Sequence, residues 1–415
     1  MLRILPFLLI SLIFSSPFQS IQAQFTCDST RFLTQVFDSV EVSSSVIYGN
    51  NGGDLLMDVY EPKGDNMTQR PLLILAFGGS FVFGRRTDGY MQDLGNTFAK
   101  KGYVVASIDY RTTPSLITNP SPRNFYGAVV KGSHDMLASV RYFRKDVVEN
   151  SNTFAIDTNL IYIGGVSAGA VSAIHAAYLR DPSEFPAELD TTGIGGTEGL
   201  SGNPNYSSRV AGVLNWCGAI GDSAWIDADE VPMLSMHGDN DDVVPYGSAN
   251  VTILNANLPV DGSASMHVKM NDLGIENPFV TWEGAGHTPF LQGFSSTPAL
   301  YMDSLFNFSS EVLYGWLCEY YSTTTSLSET LEDEIQLELF PNPVQNILNI
   351  KWQERHLVDL EVSLFDLSGN SLEVQIRDSS EGLQIARGDI PAGYYVLRIE
   401  EKRKQKRIFK NVLFR

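Results

Sequence analysis

Apolar and polar positions along this chain follow two periods, and the change of period divides it. After residue 50, apolar runs alternate with amphipathic stretches. "DLLMDVYEP", "PLLILAFGG", "YVVASIDYR", "LIYIGG", "VAGVLNWCG", "PMLSMHG" and "NPFVTWEG" read as strands. Several are almost continuously apolar, the pattern of strands covered on both faces. "MQDLGNTFAKKG", closed by Gly102, "FYGAVVKGSHDMLASVRYFRKDV" and "AGAVSAIHAAYLR" carry helical spacing, and "MDSLFNFSSEVLYGWLCEYY" is a last helix. Strands alternating with helices predict an α/β fold, a mostly parallel sheet with helices on both faces. From Leu337 the period shortens to two, with turn signals at Ser368-Gly369-Asn370 and Pro391-Ala392-Gly393. That pattern predicts a small all-β sandwich. The expected division is an α/β domain over 24–321, a polar linker over 322–334 and the sandwich over 335–415. Asp181–Ser208 is rich in Gly, Pro, Ser and Thr and lacks periodicity; a loop of that length predicts a lid or a cover over the site.

The N-terminus reads as a secretory signal over residues 1–23, with Arg3, an apolar stretch from Ile4 to Phe14, and a cleavage site at Ile21-Gln22-Ala23. Pro6 and Ser11 interrupt that stretch, which is too short to span a bilayer, and no later segment reaches the roughly 18 apolar residues a spanning helix needs. The expectation is export without a transmembrane segment. At 415 residues, 43% hydrophobic and 19% charged, the chain is long enough for two globular units. Its net charge of −19 argues against nucleic acid or an anionic membrane surface as partner. From Ile335 onward there are 12 Lys+Arg and 11 Asp+Glu, so the acidity lies almost wholly in the first part. Three cysteines, Cys27, Cys217 and Cys318, allow one disulfide in an oxidising compartment. Cys27 and Cys318 flank the acidic part and are the expected pair; Cys217 reads as a small buried hydrophobe. No cysteine or histidine pair has metal-ligand spacing, and no cofactor is implied.

The chemistry centres on "IYIGGVSAGA". Gly165-Val166-Ser167-Ala168-Gly169 fits G-x-S-x-G between a strand and a helix, the turn that lifts a serine hydroxyl above a sheet. A hydroxyl is a weak nucleophile without a neighbouring base. In this architecture the order is serine, acid, histidine. Of the six histidines, His287 in "EGAGHTPF" follows a late strand and is the expected base. His134 and His175 lie on helices, His267 in a polar stretch and His356 in the tail, while His237 precedes Gly238 and reads as support for that loop. The acid comes from "HGDNDDVVP", with Asp241 preferred over Asp239 and Asp242; its task is to hold the imidazole and stabilise the imidazolium. Oxyanion donors are expected from the backbone N–H groups of Gly79, Ser80 and Ala168, the first two in "AFGGSFVFG". Asp181–Ser208 with Phe81, Phe83, Trp216 and Trp225 are the expected pocket residues.

From about Asp54 to Tyr320 these motifs resemble an α/β-hydrolase of the carboxylesterase/lipase type, in its hormone-sensitive-lipase-like or feruloyl-esterase-like branch. The resemblance rests on "GGSFVFG", "GYVVASIDYR", "GVSAGA", "HGDNDDVVP" and "GAGH". It implies ester hydrolysis through an acyl-enzyme on Ser167. One departure is visible: Phe77-Gly78-Gly79 stands where the family carries His-Gly-Gly, which keeps the backbone donors and removes the histidine that supports their loop. The tail, through "LFPNPVQNILNI", "DLSGN", "AGYYVLRI" and "KNVLFR", resembles the C-terminal sorting domain of type IX secretion. That resemblance implies the type IX machinery as partner and a secreted or cell-surface location. The leading expectation is a secreted serine carboxylic-ester hydrolase acting on a small-molecule or glycan-linked ester. A serine peptidase of prolyl-oligopeptidase type and a non-catalytic surface binding module are the alternatives.

Overall fold

The structure, a computed structural model, describes residues 27, 30–253 and 256–329, and in the C-terminal part 337–341, 344–352, 360–365, 371–372, 374–379, 382–388, 390–401 and 406–414. The signal-like residues 1–23 lie outside the described residues. The chain divides into two compact units, 1–315 and 316–415.

The strands of the first unit are β1 (Val40–Asn50), β2 (Asp54–Pro62), β3 (Arg70–Ala76), β4 (Val104–Ile108), β5 (Ile156–Val166), β6 (Gly212–Trp216), β7 (Ala219–Ile220), β8 (Met233–Gly238), β9 (Ser248–Ile253), β10 (Ala256–Gly262) and β11 (Phe279–Trp282). Eight of them form one sheet in the order β1-β2-β4-β3-β5-β6-β8-β11. The two pairings at the β1 edge are antiparallel and the remaining five are parallel. The apolar runs are the central strands: every residue of β3, β4, β6 and β8 is buried. β7, β10 and β9 form a separate small antiparallel sheet.

The helices are α1 (Gly89–Lys101), α2 (Pro122–Glu149), α3 (Ala168–Tyr178), α4 (Ser263–Leu273) and α5 (Pro298–Glu329). Gly102, at φ 113°, closes α1 by donating its N–H to the last carbonyls of that helix. Ser121 caps α2 by accepting from the Asn124 N–H, with Pro122 at the first helical position. One helix layer joins α1 to α5 through Phe98 and Phe306, whose ring centroids are 5.4 Å apart. The other joins α2 to α3, where Gly132 lies against Ser172. α5 runs on to Glu329, so the polar stretch 322–334 begins as helix. Extending a helix that is already nucleated costs little even through Ser and Thr. Residues 330–336 lie outside the described residues.

In the second unit, β12 (Leu337–Phe340), β13 (Ile347–Trp352), β14 (Leu360–Phe365), β15 (Ser371–Leu372), β16 (Gln375–Ser379), β17 (Gly382–Ala386), β18 (Gly393–Glu401) and β19 (Lys406–Phe414) form two four-stranded antiparallel sheets, β12-β13-β17-β16 and β15-β14-β18-β19. Alternate residues, among them Leu348, Ile350, Leu364, Ile385, Leu397 and Phe414, make one buried core.

Because the central strands of the large sheet are parallel, the loops leaving β3, β5, β8 and β11 all emerge at one edge. These are the loops that carry Gly79, Ser167, Asp241 and His287.

Candidate active site

The glycines on both sides of Ser167 are explained by backbone contact. A Cβ on Gly165 would lie 2.3 Å from the Ala76 carbonyl oxygen, and one on Gly169 would lie 2.1 Å from the same atom. The turn between β5 and α3 is thus pressed onto the end of β3. Ser167 takes up the bend with φ 53° and ψ −117°, a conformation that costs a non-glycine residue on the order of 1–3 kcal/mol. Its own N–H donates to the Trp216 carbonyl at 2.9 Å, which fixes the turn to β6.

This strained turn aims the hydroxyl at His287. Ser167 Oγ lies 2.9 Å from His287 Nε2, and His287 Nδ1 lies 2.7 Å from Asp241 Oδ2. All three side chains are buried, that of Asp241 completely. The N–H groups of Val243 and Val244 donate to Asp241 Oδ1 at 2.8 and 2.9 Å, and His237 Nε2 lies 3.0 Å from Oδ2. Burial alone would raise the carboxyl pKa, but hydrogen bonds from His237 and His287 hold it well below the usual carboxylate range. His237 Nε2 also lies 3.1 Å from the Val244 carbonyl. Facing two acceptors, it is assigned as the protonated nitrogen, leaving Nδ1 to accept from Ser263 Oγ at 2.7 Å. His237 therefore holds the acid as well as its loop. Asp239 ties the acid loop to the base loop by accepting from the Gly284 N–H at 2.6 Å.

Gly78, Gly79 and Ser80 belong to the loop after β3. Gly78 is so near that an added Cβ would come within 3.3 Å of Ser167 Cβ. Gly79 has φ 126°, and a side chain there would strike the Phe83 carbonyl at 2.3 Å. Among the described residues the N–H groups of Gly79 and Ser80 take no hydrogen-bond partner, and Ala168 opens α3, whose first N–H groups have no partner within the helix. Unpartnered backbone N–H groups are a means by which a developing negative charge can be met.

Two tyrosines hold this loop. Tyr110 donates its hydroxyl to the Phe77 carbonyl at 3.0 Å and stacks on the Phe77 ring at 4.4 Å between centroids. The Tyr90 hydroxyl accepts from the Gly78 N–H at 2.8 Å. Behind them Arg86 bridges Asp58 and Asp109 and anchors the end of the loop. Where the hydrolase resemblance leads one to expect a histidine, this chain supports the loop through aromatic hydroxyls.

Residues 57–221 match the BD-FAE family model, and residues 338–412 match that of the secretion system C-terminal sorting domain. The first match runs from β2 to just past β7, and the second spans the C-terminal strands. The chain is similar to a probable isoprenylcysteine alpha-carbonyl methylesterase of Oryza sativa subsp. japonica, 31% identical over 177 residues, which are 42% of this chain and 38% of that protein. It is also similar to esterase LipC of Mycobacterium tuberculosis, 30% identical over 169 residues, 40% of this chain and 37% of that protein. The chain thus spans less than two fifths of the length of these curated relatives. Among solved structures, the propionate-bound esterase 2 of Thermogutta terrifontis superposes with a TM-score of 0.46 at 19% identity, over 66% of this chain and 94% of that one.

The first unit holds a cavity of about 260 Å³, lined among others by Phe81, Val171 and Val244 and not by Ser167 or His287 themselves. Of the four aromatic residues expected to shape a pocket, Phe81 and Trp225 line it. Phe83 does not; it is 64% exposed. Trp216 does not either: it is wholly buried at the end of β6, stacked on Phe98 and donating its indole N–H to Ser309 Oγ at 3.2 Å. Its side chain leaves the sheet on the face covered by α1 and α5. The segment Asp181–Ser208 borders the cavity through Pro186. The rest of it is strapped along α2 by Arg123 to Asp190, His134 to the Gly196 carbonyl, Arg141 to Glu198 and Ser201 to Asp135.

Cys27 and Cys318 are disulfide-bonded and Cys217 is free and buried. Its sulfur, Asp241 and His287 offer atoms within 4.8 Å of one another. Burial pushes the Cys217 thiol up to about 12, which leaves on the order of one thiolate in 10⁴ at pH 8. The native protein is therefore expected to resist iodoacetamide at pH 8 and to expose one reactive thiol in denaturant. Rapid native labelling, followed by peptide mass analysis, would contradict this burial.

Proposed function

We propose that this protein is an exported serine carboxylic-ester hydrolase that works through an acyl-enzyme on Ser167. The observation that carries the reading is the unbroken, buried relay from Ser167 through His287 to Asp241 at 2.9 and 2.7 Å. In the reaction, Ser167 Oγ attacks the ester carbonyl as its proton passes to His287 Nε2. The amides of Gly79, Ser80 and Ala168 receive the charge that forms on the carbonyl oxygen. The tetrahedral intermediate collapses, the alkoxide leaves with the proton from His287, and water repeats the cycle to release the acid. Asp241, held ionised, keeps Nδ1–H in place and stabilises the imidazolium. The names of the relatives, methylesterase and esterase, favour an ester over an amide. The sorting domain marks the protein for export, in this reading by the type IX machinery, to the cell surface or the medium.

The test compares p-nitrophenyl acetate with p-nitroacetanilide, using the full chain at pH 8. Ester turnover exceeding anilide turnover by at least about 10³-fold is expected. Anilide cleavage at a similar rate supports a peptidase instead, and inertness toward both contradicts hydrolysis.

The two tyrosines give a second check. Tyr110→Phe removes one hydrogen bond from the Phe77 carbonyl, and Tyr90→Phe leaves the Gly78 N–H unmet, each worth about 1 kcal/mol to the loop. Displaced oxyanion donors act in the transition state only, so kcat is expected to fall about fivefold in each variant with KM within about twofold. A rise in KM at constant kcat would show that the loop binds the ground state instead.

A further inference from the structure

We propose that the cavity beside Ser167 takes an unsubstituted alkyl or aryl group of the ester, up to about nine heavy atoms, and that Val171 and Trp225 set this limit. The inference rests on the ester-hydrolase reading and adds the substrate class. The cavity shares its walls with the catalytic loops. Phe81 directly follows Ser80, Val171 lies one turn along α3 from Ser167 and donates its N–H to the Ser167 carbonyl, and Val244 donates its N–H to Asp241. Its outer wall is the small sheet, through Val251 of β9 and Leu258 of β10, with Trp225 beside it.

The polarity of the lining decides what fits. Among its polar side chains, His175 has both nitrogens engaged: Nδ1 lies 2.8 Å from the Val171 carbonyl, and Nε2 accepts from the Gly221 N–H at 3.2 Å. Burial pushes its pKa down to about 4, so it is neutral at any ordinary assay pH. Asp222 accepts from the Ala224 N–H through Oδ1 at 2.8 Å and lies at the exposed rim of the cavity. No lysine or arginine lines the cavity. A sugar would leave hydroxyls unmet, each lowering binding by about 5- to 100-fold. An alkyl group meets a lining of mostly apolar side chains, in which the Tyr126 hydroxyl and the Trp225 indole N–H are the other polar groups. At the liquid share of about 30 Å³ per small heavy atom, the volume of about 260 Å³ holds about nine such atoms, and each added methylene strengthens binding about fourfold until the space is filled.

The experiment has a binding arm and a turnover arm, both on the full chain. Calorimetric titration with n-alkanols from ethanol to dodecanol is expected to show affinity rising about fourfold per carbon to about C8–C9 and then levelling. For turnover, p-nitrophenyl esters graded from acetyl to dodecanoyl and acetate esters of graded n-alkanols identify which side of the ester enters. One of the two series is expected to rise and peak near eight carbons. Val171→Phe is expected to move the peak to shorter chains and Trp225→Ala to longer ones, read as the octyl-to-ethyl ratio of kcat/KM within each variant. A general loss of stability would not move the two variants in opposite directions. Alkanol affinity independent of length overturns the proposal. So does preference for a hydroxylated aryl ester over an alkyl ester of equal size. Graded alkanol binding without turnover of any ester would leave the cavity's selectivity standing and end the hydrolase reading instead.

Discussion

Ser167→Ala is expected to lose at least about 10⁴-fold in kcat/KM on any ester the wild type hydrolyses. Removing the nucleophile of a serine–histidine–acid set costs up to about 10⁶, and what remains comes from oxyanion donors and binding. Here the donor amides of Gly79 and Ser80 stay in place when the hydroxyl is removed, so a small residual rate is expected rather than none. The turn makes a second, opposite prediction. Ser167 sits at φ 53° because Gly165 and Gly169 press against the Ala76 carbonyl, and glycine adopts such a conformation without strain. Ser167→Gly is therefore expected to be equally inactive yet more stable than Ser167→Ala, by on the order of 1 kcal/mol in urea unfolding. Equal stability of the two variants would show that the turn stores no strain. Activity retained in either variant would remove Ser167 from the chemistry.

Asp241→Asn is expected to lower kcat by about 10⁴. The amide can present its N–H₂ to His287 Nδ1 and stabilise the wrong tautomer, and it has no charge to offer the imidazolium. The same substitution changes the dependence of stability on pH. The Asp241 carboxyl lies below its ordinary range in the folded protein, so in the wild type its contribution is complete above the unfolded value of about 3.9 and is lost as pH falls below it. The variant lacks that portion. Unfolding free energies at pH 7 and pH 3 are expected to converge between wild type and Asp241→Asn at the lower pH. A gap of constant size across that window would mean that Asp241 titrates normally.

The nucleophile was legible because its requirements are local. Two glycines must meet one carbonyl, and a strand must end where a helix begins, so the signature occupies five consecutive residues. The acid and base were legible through their order along the chain and the loops that hold them. The supporting residues were hidden for the opposite reason: Tyr90 and Tyr110 reach Gly78 and Phe77 across the fold, and their spacing from that loop carries no period. His237 was read as loop support; that it also touches Asp241 follows from the curl of the loop after β8. Trp216 was misplaced because β6 is buried on every residue. A strand buried on both faces loses the alternation that would say which face a side chain takes. The β9–β10 hairpin, which walls the cavity, went unread because Asn, Pro and Gly dilute its strand signal and only pairing makes it a sheet. β1 was missed likewise: it is mostly exposed and rich in serine. The wall that decides selectivity was the least visible part of the site.

The most direct test of the account is to trap the covalent intermediate. The full chain is mixed with a p-nitrophenyl ester, quenched in acid within the first turnovers, digested and analysed by mass. The account predicts a single adduct of the acyl mass on the peptide holding Ser167, absent from Ser167→Ala. Ester hydrolysis with no adduct at Ser167, or with the acyl group on another residue, would contradict it.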